Sequence, residues 1–446
     1  MQTKTKLISC LIILAVVTVV LLINFDISSI ISRELGINAN SHRAKLAKKA
    51  KIKLVFWHAM GGPLGKVVVN LVDKFNETHP DIFVKEQFMG NYDILIQKLI
   101  SSIISNSQPD ISQVYESWTT MIKKGNAIVP LDKYIEKEKN FNKDDIYKVL
   151  LDNNMYDGKL MSLPFNKSIP VLYYNKNMFK EAGLDPERPP KNWDEFLAFA
   201  KKLTVDSNKD GLINQHGTAI TPNALILECM IFQYGGKLLS KDNMSSLINE
   251  GGSADALQYL ADLINKYKVA YRTSGYNNQS DFVARKIAMI TGSIVSKFFM
   301  RDDITFKLGI APMPSGKFNK TVLSGTNIAI INSNDDVKHD AAWVFLKWLT
   351  DTEQTAYWST ETPYIPVRKS ALKTKSWQKL LAEEPQILEV IKQVEVATYE
   401  PRIGTWYSCR MILVATVEKA LMGYSPQKVL DEAVEKMNQK LNPAYR

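Results

Sequence analysis

From Lys53 to Ser117 the apolar positions pass back and forth between strand-like runs and helical spacing. Lys53–Trp57 (KLVFW) is a short apolar run ending in His58-Ala59-Met60-Gly61-Gly62, and it reads as a strand. Leu64, Val68, Leu71, Val72 and Phe75 then recur at i, i+4, i+7 spacing, which predicts a helix that stops before Pro80. Ile82–Phe88 is a second strand, broken by Gly90-Asn91-Tyr92. A further helix runs to about Ser105, and Ile111–Tyr115 is a third strand that exits into Glu116. Strands alternating with helices build an open α/β sheet, which binds ligands outside the carboxyl ends of its strands. Trp57, Tyr92 and Glu116 are thereby expected around one crevice. Two aromatics and a carboxylate without a nucleophile suit recognition rather than bond-breaking.

The pattern then crosses into a second α/β unit. Leu163–Ser168, with Pro164 and Pro170, reads as a first crossing, and Val171–Tyr174 as a buried strand beyond it. Asn175–Gly183, Trp193–Leu203 and Ala254–Tyr267 have helical patterning, and Ile287–Thr291 and Leu308–Pro312 read as strands. A second crossing is expected near Pro314–Thr321, after which Ser324–Asn332 rejoins the first unit and Asp340–Leu349 is helical. Thr362–Pro366 gives a third crossing, and the remainder reads as helices on the second unit. The expected organisation is 1–25 as a hydrophobic leader and 26–50 as a basic tether. The first lobe takes 51–166 plus 322–361, and the second takes 167–321 plus 362–446. Two lobes joined by three crossings describe a hinge-bending clamshell.

Composition changes this picture only at the amino end. The net charge of +10 over 446 residues raises a nucleic-acid reading. Residues 1–53, however, hold nine Lys/Arg against Asp26 and Glu34, so about +3 is left for the folded body. The charge belongs to leader and tether, and no nucleic-acid face is expected. Leu7–Phe25 carries no charge over 19 residues behind Lys4 and Lys6. That length lies between a long signal segment and a minimal membrane-spanning helix. Both a cleaved signal and an uncleaved inner-membrane anchor stay open, and either exports the body. Cys10, Cys229 and Cys409 are the three cysteines, the latter two reading as buried free thiols.

Marks of catalysis are absent from the sequence: there is no G-x-S-x-G, no H-E-x-x-H and no G-x-x-x-x-G-K. The five histidines have no ligand spacing, and only His58 falls near the expected cleft, where a structural contact is its plainer role. Asp206-Ser-Asn208-Lys-Asp210-Gly211 opens like a calcium loop, but its twelfth position is Gly217, and an Asx-rich turn has the same pattern. The reading is a binding protein with no catalytic residue, no cofactor and no metal site.

The runs FWHAMGGPLGK, LVDKFNETHPDIFV, GNYD and QVYES, followed by LPFNKSIPVLYYNKNMFKEAGLDPERPPKNWDEF, carry a resemblance. KIAMITGS, SGTNIAI, TPYIPVRKSA and the surroundings of Arg410 extend it to about 390 residues, from Lys53 to the end. The chain resembles the glycerol-3-phosphate-binding proteins of bacterial ABC importers, within the extracytoplasmic solute-binding family that includes maltose-binding proteins. The resemblance implies a monomeric periplasmic clamshell that delivers a phosphorylated polyol to ABC permease subunits, and that contacts the inner membrane through residues 7–25 if they are retained.

It also implies ligand contacts at Tyr92, Glu116, Ser168, Trp193, Ser293, Gly325, Tyr364 and Arg410. Arg410 would fork onto phosphate oxygens, Ser293, Gly325 N–H and Tyr364 would add neutral donors, and Glu116 would accept from glycerol hydroxyls. Taken one at a time these residues read more plainly: Tyr364 and Trp193 as core aromatics, Glu116 as a loop charge, Arg410 as a helix residue snorkelling past Met411–Ala415. Gly61-Gly62-Pro63, Ser324, Ile294-Val295 and the loop from Thr221 depart from the family pattern. They leave open whether a glycerophosphodiester fits. A neutral sugar on the same fold, and a tethered sensor that no longer transports, are the alternatives.

Overall fold

The computed structural model describes residues 41–138, 140–206 and 209–442. The run Leu7–Phe25 and Cys10 lie outside the described residues, and no described helix is long and apolar enough to cross a membrane. Two mixed sheets form the two lobes of an α/β periplasmic-binding-protein fold. In the first, Ile52–His58 lies parallel to both Ile82–Phe88 and Ile111–Val114, with Ile52 opposite Ile82 and His58 opposite Phe88. The returning strand Thr321–Ile330 runs antiparallel to Ile111–Val114 and to Leu163–Ser168. The second sheet has the order Leu308–Pro312, Pro170–Asn175, Ile287–Ser293, His216–Ile220, Ala270–Arg272.

Only Ile169 separates the strand Leu163–Ser168 of the first sheet from Pro170–Asn175 of the second. Every residue of both strands is buried, so neither shows the alternation of a half-exposed strand. The three crossings lie side by side: Ser168 pairs with Ser324, and the Lys167 carbonyl accepts from the Ile365 N–H at 2.8 Å. A rotation of one lobe against the other is thereby confined to one narrow seam.

Three local features differ from the expected pattern. Residues 41–49, expected within the tether, are helical. Arg43 fastens this helix to the first lobe, with Nε 2.6 Å from Asp73 and Nη1 3.3 Å from Glu86. Past the third crossing the chain stays on the first lobe through Arg368, which donates to the Thr350 carbonyl at 2.5 Å and pairs with Asp145 at 3.4 Å. The carboxy-terminal part is not wholly helical either. Ala397–Tyr399 is a strand parallel to Thr321–Leu323, and it returns the chain to the seam.

The helix Tyr92–Ile104 starts at Asn91, whose side chain accepts from the Ile94 N–H at 3.0 Å. This cap sets where Tyr92 leaves the loop. Asn91→Ala is expected to lower unfolding free energy by about 1 kcal/mol, read from urea denaturation. A cost below a few tenths would show the helix start to be fixed by packing alone.

Candidate functional site

Where the crossings meet, Asn166, Lys167 and Ser168 face Ser324 and Gly325. Gly325 has φ +94°, and a Cβ built there would lie 1.9 Å from the Asn166 carbonyl oxygen, so only glycine permits this approach. The Asn166 carboxamide donates to the Tyr92 hydroxyl at 3.0 Å and accepts from Gln113 at 3.1 Å and from the Thr326 hydroxyl. Tyr364 is stacked on Trp358, with centroids 5.5 Å apart and planes at 11°. The Ser168 and Ser293 hydroxyls share a hydrogen bond of 2.6 Å across the seam.

Glu116, at the first turn of the helix Glu116–Lys123, is 7% exposed, and Lys167 is fully buried. Lys167 Nζ stands 2.6 Å from Glu116 Oε1 and also donates to the Gly325 carbonyl at 3.3 Å. Asn153 and Asn327 donate to the same carboxylate oxygen at 2.5 and 3.4 Å. Burial opposes ionisation of Glu116, but the Lys167 ammonium and these donors outweigh it and hold the carboxyl below its usual range. One cation from a crossing strand thus neutralises the carboxylate of the first lobe.

On the other side of the seam a cavity of about 250 Å³, walled by both aliphatic and polar side chains, opens in the second lobe. Asn223, Asn278, Gln279, Ser293 and Ser324 give it neutral donors and acceptors, and Arg410 is the one charged side chain that lines it among the described residues. Arg410 belongs to the helix Trp406–Leu421 and its side chain is 24% exposed. Its Nη1 lies 2.9 Å from Glu400 Oε1, a residue delivered by the strand Ala397–Tyr399. Burial opposes the charge on Arg410, yet Glu400 and Glu228 hold its pKa above the ordinary arginine value. Glu228, on the helix Ala224–Gln233, is fully buried, and neither of its oxygens meets a hydrogen-bond donor among the described residues. Burial and the neighbouring Glu400 carboxylate push its pKa well up. The Trp406 indole N–H stands beside it, short of hydrogen-bond geometry.

The expected residues do not all converge. Tyr92, Glu116, Ser168, Ser293, Gly325 and Tyr364 gather at the seam, and Arg410 faces it from the second lobe. Trp193 lies apart from these residues. Its ring is 4% exposed in the second-lobe core against Phe196 and Tyr259, its N–H is donated to Gln233 at 2.7 Å, and it does not line the cavity. Trp57 is half-buried and turned to Gln87, which accepts from its indole at 2.8 Å. His58 is a structural residue: its Nδ1 accepts from the Met60 N–H, and burial lowers its pKa to about 4. Asp206 accepts from the Gly211 N–H at 2.7 Å, and Asp210 accepts from the Leu212 N–H at 2.8 Å as an Asx turn does. Cys229 and Cys409 are buried free thiols.

Four residues of the site were not anticipated: Asn166, Lys167, Glu228 and Glu400. Asn166 and Lys167 sit inside the motif FNKS, yet a wholly buried strand gives no sequence sign of which side chain meets which. Glu228 offered a signal, a lone acid within the apolar run ALILECMIF.

Known proteins agree with this architecture. A profile of the bacterial extracellular solute-binding protein family matches residues 70–384. The sn-glycerol-3-phosphate-binding periplasmic protein UgpB of Shigella dysenteriae is 30% identical over 415 residues, covering 88% of this chain and 93% of that protein. UgpB of Escherichia coli K12 matches equally, with the same identity and coverage. Among solved structures, UgpB of Mycobacterium tuberculosis with glycerophosphocholine superposes with a TM-score of 0.77 at 23% identity, covering 87% of this chain and 98% of that one. The cyclic α-maltosyl-1,6-maltose binding protein of Arthrobacter globiformis does so with 0.75 at 26% identity, covering 88% and 99%. Its relatives bind solute rather than transform it, and the chain belongs to the bacterial extracellular solute-binding proteins that serve ABC importers.

Proposed function

We propose that this protein captures glycerol-3-phosphate or a glycerophosphodiester and hands it to an ABC permease. Arg410 carries the reading: among the described residues it is the single charged side chain lining a small cavity whose other walls combine neutral hydroxyls and amides with the aliphatic side chains of Ile220, Leu225, Ile226, Leu260 and Val417. A guanidinium partly desolvated beside such donors suits a phosphate group, which takes paired N–H bonds. The volume of about 250 Å³ lies just under the range of about 300–1,000 Å³ common for drug-sized ligands. A short polyol ester is therefore favoured over an oligosaccharide. The relatives at 30% identity are named for the same ligand. Closure over the ligand would tighten the seam between the lobes, and the closed form is the one that docks on the permease.

A second reading is a neutral sugar, and one observation favours it: Glu400 already offsets the Arg410 charge at 2.9 Å. Calorimetric titration of the purified protein with glycerol-3-phosphate, glycerophosphocholine and maltose separates the two. Micromolar binding of a phosphate ligand, about −8 kcal/mol, is expected, with none of maltose. Binding of maltose with silence toward both phosphates would overturn the proposal in favour of the sugar.

A further inference from the structure

Among the described residues the cavity has one lining cation, and that cation is already paired. Glu400 holds Arg410 Nη1 at 2.9 and 3.2 Å from its two oxygens, while its own side chain is only 9% exposed. Behind the pair lies Glu228, fully buried and without a donor for either oxygen among the described residues. Across the seam Lys167 is committed to Glu116, so its charge is not free to serve a ligand. Glu400 also lines a neighbouring cavity with Lys123, Asp157, Lys237 and Arg402. Of these, Lys123 is paired with Asp157, and Arg402 donates to the Asp152 and Met155 carbonyls. Lys237 and Arg402 keep their positive charge on that neighbouring cavity, while in the ligand cavity the one lining cation among the described residues is already offset by Glu400.

We infer that Glu400 is a charge selector, and that with Arg410 it makes this site prefer singly charged glycerophosphodiesters to the doubly charged phosphomonoester. The inference rests on the phosphate reading above and names the form of phosphate ligand. A phosphomonoester carries about −1.5 to −2 near pH 7, whereas a diester carries a single charge. One negative charge can share the guanidinium with Glu400, using its remaining N–H groups and the hydroxyls of Ser293 and Ser324. A second negative charge finds no further cation among the described residues that line this cavity, and it stands close to the Glu400 carboxylate in a desolvated site, where like charges repel strongly. Excluding the monoester in this way is discrimination by an unfavourable contact, made by a residue that need not touch the diester's alcohol.

The test is calorimetry at pH 7.5 on the purified protein with glycerol-3-phosphate and with glycerophosphoglycerol, whose second glycerol adds no charge. The diester is expected to bind at least tenfold tighter than the monoester. In Glu400→Gln, which keeps side-chain shape, the ratio is expected to fall within threefold, mainly because the monoester gains. A wild-type protein that holds the monoester as tightly as the diester overturns the inference while leaving the phosphate reading standing. A folded Glu400→Gln protein with an unchanged ratio overturns it as well. If that variant fails to fold by its melting curve, the wild-type ratio alone decides. Binding of neither phosphate ligand removes both the inference and the reading under it.

Discussion

In the Arg410→Ala protein, binding of glycerophosphodiesters and of glycerol-3-phosphate is expected to fall by at least a hundredfold, as read by calorimetry. Truncating one partner of a buried, hydrogen-bonded charge pair typically costs about 2–5 kcal/mol of binding free energy, and each 1.4 kcal/mol is about tenfold. Two further effects push the same way here. Without the guanidinium, Glu400 loses its partner at 2.9 Å and is left as a buried acid without its cation next to the cavity. The cavity is also left with no charged lining side chain among the described residues. Arg410→Lys restores a charge without the planar fork and is expected to fall between the two. Retention of phosphate binding within threefold in the alanine variant would remove Arg410 as the anchor.

How far such a site can be read from sequence depends on the kind of residue. Long periodic segments were legible because burial on one face dictates them: Trp193–Leu203, Ile82–Phe88 and Leu308–Pro312 have the bounds that their patterns predict. Ala397–Tyr399 was not legible, since three residues with partial burial carry no alternation, and pairing with Thr321–Leu323 alone makes them a strand. The helix 41–49 was hidden similarly, being fastened by the ion pairs of Arg43 rather than by an extensive apolar face.

Site chemistry follows the same division. Residues at strand exits and crossings, such as Glu116, Ser168 and Ser293, could be expected at the seam because topology decides it. The family resemblance places Trp193 at the ligand, whereas its own periodicity reads as core. With Phe196, Ala200 and Leu203 it forms the buried stripe of its helix, the arrangement of a core aromatic. The counter-ions were invisible for a different reason. Glu400 lies in a loop-like stretch, TYEPRIG, where a charge is ordinarily solvated, and only the tertiary return of the chain brings it onto Arg410. Charge pairing across lobes sets what the cavity can hold, and it is a property of the fold that composition does not carry.

That dependence is strongest at Lys167, where replacement by methionine is expected to cost about 3–5 kcal/mol of stability at pH 7, measured by urea denaturation. Methionine preserves much of the volume of this fully buried side chain but leaves Glu116 without its cation, 7% exposed between the crossings. The pH dependence identifies the cause. In the wild-type protein the Glu116 carboxyl lies below its usual value. Its contribution is therefore present above about pH 4.3, the unfolded value, and is lost as pH falls through the folded one. In the variant, burial without Lys167 raises the same carboxyl above the unfolded value, so folding takes up a proton. The penalty should then shrink as the pH is lowered from 7 to 5, while wild-type stability stays level or declines over that range. A Lys167→Met protein that loses stability equally at both pH values would point to packing rather than charge. Lys167→Met/Glu116→Gln, which removes the uncompensated charge, should recover most of the loss, and failure to do so would exclude the ion pair as its source. Because Lys167 and Gly325 sit on adjoining crossing strands, the same variant should also weaken ligand capture: the seam that positions Ser168 against Ser293 is built on this pair.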